Sequence, residues 1–329
     1  MFCYINTRFL SGIFISVLLS GCATAPQTLK LAESPPLGVR HQVELNQVTF
    51  FSQHEFQCGP AALATMLDYQ GVIVTPDDLI DKVYIPQRKG SLQLEMIATA
   101  RSYGLLSYQL EPKLSALVKE INQGNPVLVF QNLSLEYWPQ WHYAVVIGYD
   151  LNKSELILHS GTIPRYKISF STFERTWERA KYWAYVLLRA GDIPATAKPV
   201  NYTQASHDLH KSGYKNHALN AFRQAAKKWP DKSIALMALA NAEFMAGNYE
   251  NAISVFKREL KLRKNNETAW NNLAYALAAK NCIAEATKAI ICANNLSPND
   301  LNIQKSLLEI TKMPDVNEGT CGKISCPKI

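Results

Sequence analysis

Hydrophobic and polar positions divide residues 41–198 into helices and strands. Apolar residues recur at helical spacing in three segments, and five shorter segments rich in β-branched and aromatic residues are typical of strands. The predicted helices are 61–69, 92–103 and 114–121, and the predicted strands are 126–130, 143–149, 155–158, 166–170 and 183–188. Ser171 and Glu174 form the Ser-x-x-Glu pattern of a capping box, which predicts one more short helix. The pattern therefore predicts an α+β domain.

Beyond residue 198 the pattern is helical and repeats along the chain. A shift of about 34 residues places Ala252 on Ala286 and Phe256 on Ile290, and small residues at helix crossings with bulky ones between them resemble the tetratricopeptide repeat. The predicted repeats are 199–232, 233–266 and 267–300, followed by a capping helix over 301–312 and a cysteine-containing tail over 313–329. Such repeats imply a protein partner without identifying it.

The first residues of the chain have the pattern of an export signal. A basic residue, Arg8, precedes an apolar run over 9–19, which is shorter than the roughly 20 residues that a membrane span needs. Residues 1–21 are therefore predicted to be a signal peptide. Residues 19–22 read Leu-Ser-Gly-Cys and resemble a bacterial lipobox, in which Cys22 carries the lipid. The alternative is an ordinary signal peptide that happens to contain a cysteine.

Lipidation of Cys22 would anchor the protein to a membrane without spanning it, because several acyl chains on one residue hold stably. Residue 23 is Ala rather than the Asp that favours inner-membrane retention, so the resemblance implies the periplasmic face of the outer membrane in a Gram-negative host. Residues 22–40 contain three prolines and show no periodicity, which predicts an extended tether between the anchor and the domain over 41–198.

Composition and charge exclude several classes of protein. The 329 residues are 47% hydrophobic and 19% charged, which excludes a disordered chain. The net charge is +7, and residues 199–329 carry most of the excess, with 17 Lys and Arg against 11 Asp and Glu. These basic residues do not form a stripe with interleaved aromatic residues, so no nucleic-acid partner is expected. The sequence has no phosphate-binding Gly-rich loop, and no cofactor is predicted.

Four cysteines near the C-terminal end suggest disulfides in an exported protein. Cys282 and Cys292 lie ten residues apart in one predicted helix, about 15 Å along its axis, and therefore cannot bond to each other. Either both bond to Cys321 and Cys326 of the tail, or the two tail cysteines form a small loop and leave two free thiols. Spacing and compartment disfavour a zinc site, and no metal is predicted.

The sequence around Cys58 is typical of a nucleophile at the start of a helix. Gly59 and Pro60 follow it, and an apolar run then begins. A thiol at a helix N-terminus is close to free backbone N–H groups and to the positive end of the helix dipole, both of which favour the thiolate. A structural cysteine buried in an apolar helix is the alternative.

His142 opens an apolar strand far along the chain from Cys58. The Cys-then-His order resembles papain-like cysteine peptidases, and the two motifs together closely resemble the bacteriocin-processing family, which cleaves leader peptides after a double glycine. The resemblance covers about residues 45–190. It implies Cys58 as nucleophile, His142 as general base and acid, and Gln53 as the oxyanion donor, whereas Gln57 is adjacent to the cysteine and points elsewhere.

The third catalytic position departs from the family pattern. The hairpin through residues 150–154 is expected to pair His142 with about position 160, where the family has Asp and this chain has Ser160. Asp150 is about 26 Å from His142 along an extended strand and is too distant to replace it. Ser160 is therefore a candidate orienter of His142, with a backbone carbonyl or another loop as alternatives. Loss of the carboxylate weakens stabilisation of the imidazolium.

Three functions fit these residues. The first is a membrane-anchored cysteine peptidase that cleaves a peptide or protein substrate in the bacterial envelope, with the repeats presenting a substrate or partner. The second is a peptidase-like module, weak or inactive, that binds peptides and uses the repeats for protein interaction. The third is acyl transfer to an acceptor other than water. Double-glycine specificity is not carried over, because the sequence shows neither an ATP-binding motif nor a long apolar span.

Overall fold

The computed structural model describes residues 25–314, 321 and 323–326. Its first part contains the strands β1 (Gln42–Glu44), β2 (Tyr84–Ile85), β3 (Gly90–Ser91), β4 (Leu106–Gln109), β5 (Val127–Asn132), β6 (Trp141–Asp150), β7 (Glu155–Ser160), β8 (Ile163–Ser169) and β9 (Ala184–Leu188). The helices of this part are α1 (Pro26–Glu33), α2 (Cys58–Tyr69), α3 (Asp77–Val83), α4 (Gln93–Ser102), α5 (Leu114–Gln123) and α6 (Phe170–Arg179). The predicted α+β class is confirmed.

Seven of these strands form one antiparallel sheet in the order β4-β9-β5-β6-β7-β8, with β1 along β6, and β2 and β3 form a separate hairpin. Strand β6 is central. It pairs with β5 along its first half, with β1 along its end and with β7 on the other side. Nine of its ten residues are buried, which explains its unbroken apolar sequence.

Helix α2 packs against β6 and is enclosed by the domain core. All residues from Gly59 to Leu67 are buried, so the helix is apolar on every face. Gly59 allows the hairpin of β2 and β3 to approach, because a Cβ at this position would lie 2.6 Å from the Cβ of Ser91. The first residue of α2, Cys58, is thereby fixed between the hairpin and the start of β6.

Helix α6 begins earlier than the capping-box pattern predicts. Ser169, not Ser171, is the N-cap, and its hydroxyl accepts a hydrogen bond from the Thr172 N–H at 3.2 Å. Glu174 does not reach back to cap α6. Its carboxylate instead accepts hydrogen bonds from the backbone N–H groups of Gln27 and Thr28 at 2.8 and 2.7 Å.

The predicted extended tether is wrong over residues 26–33, which form helix α1. Glu174 supplies the negative charge that the N-terminus of α1 favours, and the Gln27 side-chain oxygen accepts a hydrogen bond from the Leu114 N–H at 2.6 Å. Leu31 is buried in the core. These are contacts across more than 80 residues of sequence, which local periodicity does not reveal. The chain is therefore attached to the domain from Ala25 onward.

The second part of the chain consists of helix pairs. The helices are α7 (Pro199–Lys211), α8 (Lys215–Lys228), α9 (Ser233–Met245), α10 (Tyr249–Leu262), α11 (Glu267–Ala279), α12 (Ile283–Leu296) and α13 (Leu301–Thr311). One pair lies within each predicted repeat, and α13 lies in the predicted capping segment. Helices α7, α8 and α9 share one apolar core with the sheet domain, whereas the buried apolar residues of α10 belong to a second core with the last repeat. Arg101 of α4 forms a 2.7 Å ion pair with Asp208 of α7.

Two disulfides hold the tail on the last repeat. Cys282 bonds to Cys321 and Cys292 bonds to Cys326, with Cα–Cα distances of 5.8 and 5.2 Å. Of the two arrangements that the sequence leaves open, the structure therefore has the one that ties the tail to the repeat.

None of the described helices is long and apolar enough to cross a membrane. The predicted signal peptide over 1–21 and the predicted lipidation site Cys22 lie outside the described residues.

Candidate active site

A cleft of about 840 Å³ opens at the N-terminal end of α2. Three segments form its walls: the approach to α2 with Gln53 and Cys58, the region 88–93 around the β2–β3 hairpin, and the start of β6 with His142. The structure therefore brings together Cys58, His142 and Gln53, which are far apart or only loosely grouped in the sequence. The ring of Trp141 stacks on that of Phe130 at 5.2 Å between centroids and forms an apolar wall.

Cys58 is the one free cysteine of the described residues and is half-buried in the cleft. Burial raises the pKa of its thiol, while hydrogen bonds from the backbone N–H groups of Tyr143, Gly59 and Cys58 itself act to lower it. The burial effect prevails. The backbone donors expected at the helix N-terminus are therefore present and act in the expected direction, but they do not outweigh the effect of burial on the pKa of Cys58.

His142 is 8% exposed, and burial lowers its pKa to about 4. The imidazole is therefore neutral at physiological pH and is able to accept a proton. Its Nε2 atom lies 2.9 Å from the Ser160 hydroxyl oxygen, so one ring nitrogen is held by the sheet. Burial alone accounts for the lowered pKa, and no carboxylate among the described residues raises it. The resting pair is thus a thiol and a neutral imidazole rather than an ion pair.

Ser160 reaches His142 by a register that differs from the predicted one. Ser160 pairs with Ala144 across β6 and β7, not with His142. The pairing of Asp150 with Glu155 next to the turn would place Ser160 opposite Val145, and the irregularity between Val146 and Gly148 moves it one residue toward His142. His142 and Ser160 are diagonal neighbours on the sheet, close enough for their side chains to meet. Asp150 pairs with Gln42 and Glu155 at the far end of β6, away from His142 as expected.

Gln53 lies in the wall of the cleft, and its backbone N–H donates to the Gly161 carbonyl at 3.2 Å. Its side-chain oxygen is buried and has no hydrogen-bond partner among the described residues. Gln57 also has a buried oxygen without a partner, but it does not line the cleft. The amide of Gln53 is therefore the one that a ligand in the cleft can meet.

A second histidine, His159, is already engaged. Its Nδ1 accepts a hydrogen bond from the Arg165 N–H at 3.3 Å, so Nε2 carries the proton and donates to the Val48 carbonyl at 3.0 Å. Both ring nitrogens are used, which leaves His142 as the imidazole available to the cleft.

Sequence reasoning missed Ser91, which stands against the start of α2. Its hydroxyl is buried without a partner, it lines the cleft, and its carbonyl accepts a hydrogen bond from the Tyr143 hydroxyl at 3.3 Å. The signal available in the sequence is Gly59, because a glycine directly after Cys58 is typical of a close approach by another segment. Nothing local identifies that segment as the hairpin of β2 and β3.

Two regions of the chain match known protein families. Residues 45–185 match the sequence profile of the Peptidase_C39 like family. The chain carries a C39-peptidase-like domain. Residues 216–267 match the tetratricopeptide repeat, so repeats follow the C39-like domain. No curated protein matches the chain.

Solved structures resemble each part of the chain separately. A C39-like peptidase from Bacillus anthracis has 19% sequence identity and a TM-score of 0.38 over 46% of this chain and 98% of its own. A double-glycine-motif protease from an AMS/PCAT transporter, in complex with its leader peptide, has 21% identity and a TM-score of 0.34 over 45% of this chain and 97% of its own. The first repeat domain of Spaghetti (RPAP3), bound to an HSP90 peptide, has 19% identity and a TM-score of 0.33 over 35% and 91%.

Proposed function

We propose that the C39-like domain is a cysteine peptidase acting in the bacterial envelope, with Cys58 as nucleophile and His142 as general base. The observation that carries this proposal is the shared cleft: Cys58 and His142 line it together, and the backbone N–H of Tyr143, directly after His142, donates to the Cys58 sulfur. A structural cysteine in an apolar helix has no need of such a donor or of an accessible imidazole.

The resting protonation states define the order of events. The neutral imidazole of His142 takes the thiol proton as the Cys58 sulfur attacks the substrate carbonyl, and the oxyanion receives a hydrogen bond from the Gln53 amide. His142 then gives the proton to the leaving amine, which departs and leaves a thioester on Cys58. Water, deprotonated by His142, attacks the thioester and releases the acid with the thiol restored.

Two further parts of the proposal concern location and partners. Cys22 carries lipid and anchors the chain, at the periplasmic face of the outer membrane where the host is Gram-negative. The tetratricopeptide repeats bind a protein partner or present the substrate. The repeat domain of Spaghetti (RPAP3) described above was solved with an HSP90 peptide, and the second repeat domain of human RPAP3 was solved with an HSP70 peptide.

The experiment that tests catalysis compares the wild-type protein with Cys58→Ala and His142→Ala on a library of peptides. Each variant is expected to lose activity by about 10⁴-fold, and the double variant to lose little more, because the two residues act as one unit. Gln57→Ala is the matched control, since Gln57 is adjacent to Cys58 but does not line the cleft. Turnover that survives in Cys58→Ala would contradict the proposed nucleophile.

The second candidate function is a peptide-binding module with weak or no activity. It is favoured because no carboxylate of the described residues acts on His142. Peptides that bind the wild type and Cys58→Ala equally, without cleavage by either, would identify this module. Palmitate incorporation that disappears in Cys22→Ser tests the anchor independently of catalysis.

A further inference from the structure

The connection between β5 and β6 exposes large apolar side chains. We name residues 133–138 the aromatic tip. Tyr137 is 81% exposed and Trp138 76% exposed, and Leu133 and Leu135 are also exposed. The only charged residue within the tip is Glu136. Contiguous exposed apolar side chains of this kind mark a surface that meets another molecule or a lipid phase.

The conformation of the aromatic tip is fixed by hydrogen bonds at its base. The Asn132 side-chain oxygen accepts from the N–H groups of Ser134 and Gln140 at 3.1 and 2.9 Å, and its amide donates to the Leu135 carbonyl at 3.2 Å. The Trp138 N–H donates to the Leu135 carbonyl at 3.1 Å, which closes the turn. Because these backbone groups are already hydrogen-bonded to the tip or its base, moving the tip from water into lipid leaves few of them unpaired. The free-energy cost of this transfer is therefore low.

The aromatic tip is not a wall of the catalytic cleft. Residues 139–143 line the cleft, whereas none of the residues 133–138 does. Tyr137 and Trp138 therefore lie outside the walls that surround Cys58 and are available to a second contact.

The start of the described chain and the base of the tip both form hydrogen bonds with helix α6. The Glu174 carboxylate of α6 holds the N-terminus of α1, and one α6 turn further on Arg179 donates to the Asn132 carbonyl at 2.9 Å. Five residues separate Glu174 from Arg179, about 8 Å along the helix axis. Cys22 is three residues before Ala25, within about 11 Å of fully extended chain. A lipid on Cys22 would thus hold the bilayer near the tip, with no long tether between them.

We infer that the aromatic tip inserts into the interfacial region of the bilayer that carries the lipid anchor. The inference rests on the anchor of the proposed function, and its partner is a lipid surface rather than a protein. Trp and Tyr are enriched at the membrane–water interface, where their rings meet the acyl boundary and their polar groups stay hydrated. With Glu136 as its one charge, the tip binds through apolar contact and needs no anionic lipid. The cleft beside Trp141 then opens at the membrane surface.

The test uses tryptophan fluorescence of the lipidated protein on phosphatidylcholine vesicles with brominated acyl chains. Among the exposed large apolar residues are two tryptophans, Trp138 and Trp141, which serve as the reporters. Brominated chains are expected to quench the wild-type protein. Leu135→Ser/Tyr137→Ser keeps both reporters, removes apolar contact and is expected to lose most of the quenching. Ile73→Ser is the matched control, because Ile73 is 98% exposed on another loop, and it is expected to keep the quenching.

Two results would overturn the inference: no quenching of the anchored wild type, or equal quenching of the wild type and Leu135→Ser/Tyr137→Ser. Protection of Trp138 from a soluble quencher by a peptide, without quenching by brominated chains, would assign the tip to a protein instead. A separate experiment distinguishes failure of the lipid anchor from failure of the tip to insert. Protein that incorporates no palmitate is mixed with the same vesicles at high lipid concentration. If the tip inserts, the brominated chains still quench Trp138. If Trp138 is not quenched under these conditions, the result counts against the tip.

Discussion

The polar side chains that line the cleft of the C39-like domain differ in their hydrogen bonding from the buried carboxylates of the repeats. At the cleft, Gln53 and Ser91 bury side-chain oxygens without a partner. In the repeats, the buried carboxylate of Glu243 accepts from Arg223 and Asn248, and that of Glu259 accepts from Ser233, Arg263 and Asn266. An unpaired buried group costs stability, and a ligand in the cleft can supply the missing partners of Gln53 and Ser91 because both line it. Thr203 and Asn271 in the repeats also have a buried oxygen without a partner among the described residues, but they lie outside the cleft.

The same contrast holds for the cysteines. Cys282 and Cys292 are bonded to the tail and fix the last repeat, whereas Cys58 is free and lies in the cleft. The chain therefore keeps a free thiol in one region and disulfide bonds in the other. The predictions below separate these two roles.

The largest expected effect is the dependence of stability on His142 protonation. Its pKa is about 4 in the folded protein and near 6.5 in the unfolded chain, so the unfolded chain binds more protons between these values. The contribution of His142 is complete above pH 6.5 and is lost as the pH falls toward 4, by about 3 kcal/mol in the free energy of unfolding. Urea unfolding at pH 7 and pH 4 measures this loss.

The matched variant His142→Asn removes the titrating group without adding a charge. The change in unfolding free energy between the two pH values is expected to be smaller in this variant by about 3 kcal/mol, and other buried histidines contribute equally to both proteins. An unchanged pH dependence would show that His142 is not buried in its neutral form, and the general-base mechanism would lose its basis.

A smaller effect is expected from the saturated network of the repeats. Glu243→Ala removes a 3% exposed carboxylate that accepts hydrogen bonds from Arg223 at 2.7 Å and from Asn248 at 2.8 Å. Its loss is expected to lower the free energy of unfolding by about 2 kcal/mol. The rate at which iodoacetamide alkylates Cys58 is expected to stay unchanged, because the network lies in the repeats.

The control for this prediction is Glu250→Ala. Glu250 pairs with Lys280 at the surface of the same repeat region, where an ion pair contributes little, and no measurable change in stability is expected. A change in Cys58 alkylation with Glu243→Ala, but not with Glu250→Ala, would show that the two regions are coupled rather than separate.

Sequence patterns predicted the parts of the molecule that depend on neighbouring residues. The repeat period follows from residues 34 apart on adjacent helix pairs, and the strand over 143–149 follows from a continuous apolar run, although β6 extends over Trp141–Asp150. The joint position of Cys58 and His142 was predicted through a family resemblance, because no local rule brings residues so far apart into one cleft.

Most of the features that the sequence did not predict depend on distant contacts. Helix α1 is fixed by Glu174, the Cys58 pKa is set by burial against β6 and the hairpin, and the irregularity in β6 shifts Ser160 opposite Ala144. The first two arise where segments far apart in sequence meet, whereas the third arises within the hairpin of β6 and β7, at an irregularity that the apolar sequence of β6 does not mark. Glu174 illustrates the first case, because its capping-box spacing is present but its carboxylate binds α1 instead.

The smallest expected effect concerns Ser160, which holds His142 without a charge. Ser160→Asp places a carboxylate near Nε2, where it is expected to raise the pKa of His142 because an adjacent negative charge favours the imidazolium. A stabilised imidazolium is expected to raise kcat/KM about tenfold and to move the acidic limb of its pH profile to higher pH. Ser160→Ala is the matched control and is expected to lower kcat/KM with no such movement. A pH profile identical in the Asp variant and the wild type would mean that the 2.9 Å contact does not act on the catalytic imidazole, and the cleft would then be completed by a group other than Ser160.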